Sequence, residues 1–137
     1  MIIVPYVQTA PLKLDRIMVC WDGSRPATRA IADAMPFLKR AENIEVVSVI
    51  SERGKQHDIE GVDMGRHLAC HGLKVEVTHV MRGELDVEDA LLSRAADTDA
   101  DFMVMGGYGH SRLREFVLGG VTRSILRTMT VPTLMSH

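Results

Sequence analysis

The residues of this chain best suited to chemistry lie in two short stretches. One is Asp22-Gly23-Ser24. The other starts at Met105 and runs Gly106-Gly107-Tyr108-Gly109-His110-Ser111-Arg112-Leu113-Arg114, ending at Gly119-Gly120-Val121. Glycines at 106 and 109 let the backbone turn sharply behind a strand, and Gly119 and Gly120 remove side chains that would block a ligand at the start of a helix. Free amides at a helix start, with the positive end of its dipole, favour an anion such as phosphate. Arg112 and Arg114 add positive charge in the same stretch. A second reading stays open for both stretches. Asp-Gly-Ser is good turn and helix-cap chemistry without any ligand, and glycines also serve simply to close turns.

Other chemistries fit less well. No G-x4-G-K-[ST] loop occurs, and Gly107-x-Gly109 is followed by Arg112 where a dinucleotide fingerprint needs its third glycine. His67 and His71, with Cys70 between them, have the i, i+4 spacing of zinc ligands, but no third and fourth ligand stand at a recognisable spacing. They read as a solvated helix face, and no metal is expected. His110 has no serine or cysteine nucleophile placed for a hydrolytic triad, Ser111 reads as a loop residue, and Trp21 as a packed core residue.

The elements that position these residues alternate. Apolar runs at 17–21, 44–50, 75–80, 102–105 and 131–135 read as strands. The runs Met18-Val19-Cys20-Trp21 and Phe102-Met103-Val104-Met105 are continuously apolar, as strands covered on both faces require. A first helix starts at Ser24 as N-cap with Pro26 in its first turn, turns Ala27, Ala30, Ile31, Ala34, Phe37 and Leu38 inward, and is kinked or shortened by Pro36. Residues 58–71 form a weaker helix, with Ile59, Val62, Leu68 and Ala69 inward and its propensity lowered by Gly61 and Gly65. Two more run over about 85–97, with Val87, Ala90, Leu91 and Ala95 inward, and about 119–129, with Val121, Ile125, Leu126 and Met129 inward. The β-α alternation predicts a parallel sheet with helices on both faces, whose ligands bind beyond the strand carboxyl ends, in the loops after Trp21, Ile50 and Met105. Residues 1–14 stand apart, as a possible extra strand at Ile2 to Val4 and a linker over 8–14, ahead of a domain at 15–137.

At 137 residues, 46% apolar and 25% charged, with a net charge of -2, the chain has the composition of one ordinary globular domain. Such a charge balance offers nucleic acid or a membrane surface little attraction. No apolar run approaches the roughly 20 residues that span a bilayer, the opening residues are too short for a signal-peptide core, and two separated cysteines suit a reducing compartment. Cytoplasmic residence is the expectation.

The pattern Gly106-x2-Gly109-x9-Gly119-Gly120, Asp22-Gly23-Ser24 after the first strand, and Val131-Pro132-Thr133-Leu134 together resemble the universal stress protein family over residues 15–137. The resemblance implies a three-layer α/β/α fold of the adenine nucleotide alpha-hydrolase kind, with an open parallel five-stranded sheet in the order 3-2-1-4-5. It implies ATP, or another adenine nucleotide, at the strand carboxyl ends. Asp22 would contact the ribose and the backbone near Val49 the adenine, while Gly106, Gly109, Gly119, Gly120 and Val121 would surround ribose and phosphates. Gly120 stands where the family pattern has Ser or Thr, so one hydroxyl contact is missing, a loss of about 1 kcal/mol. The implied role is a nucleotide-binding regulatory module in the stress response, with an unidentified regulatory protein partner and a homodimer through the last strand. A dimerising module that has lost ATP and a slow ATPase are the alternatives. Residues 1–9 resemble the closing strand of another such domain, as in the second half of a tandem protein, and Ile2–Tyr6 or a second copy's last strand is expected to pair antiparallel with residues 131–135.

Overall fold

The computed structural model describes residues 1–137 except 7, 9, 10, 51–56, 82, 84 and 108–119, and leaves the side chains at 57–60 and 120 undescribed. The described elements are β1 (Ile2–Ile3), β2 (Arg16–Cys20), α1 (Arg25–Leu38), β3 (Asn43–Ile50), α2 (His57–Cys70), β4 (Val75–Met81), α3 (Val87–Asp97), β5 (Phe102–Gly106), α4 (Gly120–Thr128) and β6 (Thr133–Ser136). The sheet runs β1-β6-β5-β2-β3-β4. Counted from β2, its five parallel strands stand in the expected order 3-2-1-4-5. The sheet has six strands and not five, because Ile2 and Ile3 pair antiparallel with Leu134 and Thr133. That pairing satisfies backbone groups on the outer edge of β6 that would otherwise face solvent.

Alternation along each strand sorts the side chains into two layers. Ile17, Val19, Ile44, Val46, Phe102 and Val104 meet Ala30, Ile31, Ala34 and Leu38 of α1 and Leu68 of α2. On the other face Met18, Cys20, Val47, Met103 and Met105 meet Leu91 and Ala95 of α3 and Ile125 of α4. Burial of both faces explains why the β2 and β5 runs are apolar at nearly every position.

Local chemistry accounts for the helix positions. The Ala27 N–H donates to Ser24 Oγ at 3.2 Å, capping α1, with Pro26 in the first turn. The helix continues two residues past Pro36 and stops at Leu38. Phe37 is half-buried and stacks at a tilt on Phe102, with ring centroids 5.5 Å apart.

The inward face of α2 differs from the sequence expectation. Val62 is 45% exposed and Ala69 is exposed, while Gly61, Gly65 and Leu68 are buried, with Met64 half-buried between them. A Cβ on Gly65 would lie 2.4 Å from Val77 Cγ2, and one on Gly61 3.0 Å from Ser48 Oγ. The two glycines lower helix propensity yet let α2 lie directly on β3 and β4. The side chain of Ile59 lies outside the described residues.

Candidate nucleotide site at the strand carboxyl ends

Register brings the ends of three strands to one level. Cys20 pairs with Val47 on one side and with Met105 on the other, so Asp22, Val49 and Gly106 all emerge just beyond the same row. After β2 the chain moves to β3 on one side, and later returns to β5 on the other, so a crevice opens where strand order reverses.

Asp22 is held by the turn that follows it. Gly23 adopts φ 73°, a conformation L side chains seldom take, and the Ser24 N–H donates to Asp22 Oδ1 at 3.0 Å. The aspartate therefore starts α1 and also stands, exposed, at the crevice. Gly106 serves a packing need. A Cβ there would lie 2.6 Å from the Ala27 nitrogen and 2.9 Å from the Pro26 carbonyl carbon, so the end of β5 rests against the first turn of α1. A sharp glycine turn is not what the position requires, since Gly106 is not among the residues with positive φ.

The crevice holds a cavity of about 250 Å³. Asp22, Val49, Gly106 and Val121, all singled out by the sequence, line it. Gly120 is the first residue of α4. Gly109 and Gly119 lie outside the described residues, as do His110, Ser111, Arg112 and Arg114. Cys20, Trp21, Val47, Ser48 and Met105 line it from the sheet side, and Val87 and Leu91 of α3 with Thr122 of α4, which escaped the sequence reading as site residues, line it from the helices. Val87 and Leu91 carry only the inward periodicity of a core helix, and Thr122 is one polar residue on an otherwise apolar helix face.

The lining separates by chemistry. Val49, Val87 and Leu91 supply an apolar wall, and Asp22, Gly106 and the start of α4 supply a polar one. Cys20 lies at the floor, where burial, then the charges of Asp22 and Glu45, push its thiol up to about 12. It stays a protonated, unreactive thiol at neutral pH. Trp21 is half-buried and packs on the α1 and α2 layer, as a core residue does. Its Nε1 and the Ser48 Oγ are both sealed from solvent and lack hydrogen-bond partners among the described residues.

A larger cavity, about 320 Å³, lies at the opposite, amino end of the strands. There Arg94 of α3 donates to Glu45 Oε1 and Arg16 Nη1 donates to the Thr98 carbonyl, while Glu45 Oε2 is buried without a hydrogen-bond partner among the described residues. The carboxyl-end crevice is preferred as the site because ligands of open parallel sheets bind there and a helix start faces it. His67 and His71 pack edge to face with ring centroids 4.9 Å apart, and no group of three or more metal-ligating side chains occurs among the described residues. No described helix is long and apolar enough to cross a membrane.

Comparison with known proteins agrees with this architecture. The universal stress protein family matches residues 13–137. The chain belongs to that family. A curated relative, Universal stress protein Slr1230 of Synechocystis sp., is 36% identical over 63 residues, which is 46% of this chain and 21% of the relative. The chain thus matches about a fifth of that relative's length. Among solved structures, the hypothetical protein MJ0577 superposes with a TM-score of 0.77 at 22% identity, covering 90% of this chain and 95% of that one. A universal stress protein from Archaeoglobus fulgidus DSM 4304 gives 0.71 at 23% identity, with 90% of this chain against 45% of that one. A universal stress protein in complex with cAMP gives 0.65 at 20% identity, covering 90% and 97%. At these identities the likeness to this universal stress protein is one of fold.

Proposed function

We propose that this universal stress protein is an adenine-nucleotide-binding regulatory module of the stress response, acting in the cytoplasm and taking ATP or a related nucleotide at the strand carboxyl ends. The observation that carries the reading is the convergence of Asp22, Val49, Gly106 and Val121 on one cavity with a helix start at its rim. The cavity has an apolar wall for a base, a carboxylate able to accept from ribose hydroxyls, and helix amides for phosphate. A relative of similar fold has been solved with cAMP, itself an adenine nucleotide. Gly109 and Gly119 belong to the same proposal through the sequence pattern.

Binding rather than turnover is the role in this reading, with at most weak ATPase activity, and the output is read by a protein partner. Two copies associate along the β6 side of the sheet. Because β1 already pairs with β6, a second copy meets the outer edge of β1 or displaces it. Mass spectrometry of the small molecule released when the purified protein is denatured tests the reading. An adenine nucleotide supports it. If none is released, saturating ATP gives no calorimetric heat or thermal shift, and Gly109→Val behaves as wild type, then the reading is wrong and the module works without nucleotide.

A further inference from the structure

We infer that the cleft at the amino end of the strands is a second binding site, for a small zwitterion of the amino-acid class, whose ammonium group meets Glu76 near the end of α3 and whose carboxylate meets Lys74. The inference is independent of the nucleotide reading, since this cleft shares no lining residue with the carboxyl-end crevice. Every residue that lines it is described.

Register places Glu45 of β3 beside Glu76 of β4, and alternation puts both on the face of the sheet that carries α3. Like charges so placed repel, and the pair needs counter-charge. Arg94 supplies part of it. Its Nε and Nη2 both donate to Glu45 Oε1, which leaves Oε2 buried without a hydrogen-bond partner among the described residues. Arg94 is held above the usual guanidinium range, first by its hydrogen bond to Glu45 and then by the charges of Glu45, Glu76 and Asp97. Three carboxylates thus act on one guanidinium, and Arg16 is engaged elsewhere, donating to the Thr98 carbonyl. The carboxyl end of α3 adds to the deficit, since the helix closes at Asp97 and Thr98 with the negative end of its dipole, and Arg94 and Thr98 line the cleft. An ammonium group supplies what is missing. Because Oε2 is covered, the exposed Glu76 is the contacting carboxylate, and Glu45 acts through its charge.

The opposite pole comes from Lys74. It lines the same cleft two residues before Glu76, is exposed, and makes no side-chain hydrogen bond or ion pair with a described residue. A ligand with a cationic group alone would meet Lys74 as a like charge, and one with an anionic group alone would meet Glu76, so the lining selects a molecule that carries both. Met18 and Ala100, 0% and 7% exposed, give the cleft an apolar floor on which an aliphatic side chain packs. At about 320 Å³ the cleft stands at the lower end of the roughly 300–1,000 Å³ of small-molecule pockets, which sets the ligand at the scale of an amino acid. No group of three or more metal-ligating side chains occurs among the described residues, so an organic ammonium and not a metal ion suits the place.

Titration calorimetry on the full chain with L-leucine, with 4-methylpentanoate, which lacks the ammonium, and with 3-methylbutylamine, which lacks the carboxylate, tests the inference. L-leucine binds, and each analogue binds at least about tenfold more weakly, the scale of one lost hydrogen bond to a charged group. Glu76→Gln and Lys74→Met each weaken L-leucine by about tenfold, while Lys74→Arg stays within about threefold of wild type. Both positions are exposed, so these variants keep the fold. In wild type the Met18 methyl resonance moves with L-leucine, and those of Val49 and Val121 in the carboxyl-end crevice do not. Absence of L-leucine binding overturns the inference, as does an analogue that binds as tightly as L-leucine, or unchanged L-leucine affinity in either Glu76→Gln or Lys74→Met. Shifts at Val49 and Val121 in place of Met18 overturn it too, placing the amino acid in the other cavity. ATP titrated into the same samples reports on the nucleotide reading separately.

Discussion

A Cβ on Gly106 would stand 2.6 Å from the backbone nitrogen of Ala27, so the end of β5 and the first turn of α1 touch through backbone alone. This contact places the crevice wall, because Asp22 and Ser24 lead directly into the same turn of α1.

Gly106→Ala is therefore expected to destabilise the fold by about 1–3 kcal/mol, since the obstructing atoms are backbone and cannot move aside cheaply. The neighbouring Gly107 serves as control, because a Cβ there meets only ordinary contacts, 3.6 Å from the Ser136 carbonyl oxygen. Urea unfolding of the two variants makes the comparison. Equal stability of Gly106→Ala and Gly107→Ala would show that the close approach carries no weight.

Much of this was legible in the residues themselves. Continuous apolar runs such as Phe102-Met103-Val104-Met105 announce strands covered on both faces, and Ser24 with Pro26 announces the start of α1. Asp22 was legible as turn chemistry at a strand end and Gly106 as a residue of a neighbouring strand end, which parallel topology then brings together, but that Gly106 serves close packing on α1 and not a sharp turn was not legible. The face of α2 was not legible, because its inward stripe is built partly of Gly61 and Gly65, residues that hydrophobic periodicity does not count as contacts. Val87 and Leu91 were read as core, since periodicity reports that a side chain is inward and not which end of the sheet it reaches. The sixth strand was legible as the apolar run at Ile2 to Val4, and its antiparallel pairing with the last strand, 132 positions away for Ile2 with Leu134 and 130 for Ile3 with Thr133, was expected through the family resemblance and not through local pattern.

The Cys20 thiol ties stability to alkaline pH. Its folded pKa, raised from 9.0 to about 12, means that the native state keeps the proton while the unfolded chain releases it. The contribution is complete below pH 9, and falls away as pH rises toward 12, by a few kcal/mol at most. Cys20→Ala should flatten the pH dependence of unfolding free energy in that window relative to wild type. Iodoacetamide at pH 8 should modify exposed Cys70 readily and Cys20 only in denaturant. Native-state labelling of Cys20 at a rate near that of Cys70 would contradict the burial argument.

Pairing of β1 with β6 predicts a local effect of trimming the N-terminus. The Met135 N–H donates to the Met1 carbonyl at 2.8 Å, whereas the Met103 and Gly107 N–H groups, which donate to the Pro132 and Ser136 carbonyls, do not depend on β1. A chain lacking residues 1–9 should lose amide-exchange protection at Met135 and retain it at Met103 and Gly107. It should also self-associate more strongly in light scattering, since the edge of β6 is then open to another strand. Unchanged exchange at Met135 would mean that β1 does not hold that edge in solution.

The packing of α2 gives the last test, in which two opposing effects of one substitution can be separated. On an exposed helix position, Gly→Ala stabilises by roughly 0.5–1 kcal/mol, through backbone entropy and propensity. At Gly65 the new methyl would lie 2.4 Å from Val77 Cγ2, much closer than van der Waals contact, and Val77 is fixed in the middle of β4. Overpacking of this kind costs about 1–3 kcal/mol, so Gly65→Ala should be net destabilising despite the gain in propensity. Removing the obstruction should reverse the sign of the effect. In a Val77→Ala background, where the facing side chain is cut back, Gly65→Ala should be neutral or stabilising, with the added methyl filling part of the space left by the valine. A double-mutant cycle in urea reads the difference as a coupling of at least about 1 kcal/mol between the two positions. Additive effects would show that α2 does not rest on β4 through Gly65, and that the glycine is tolerated there rather than required.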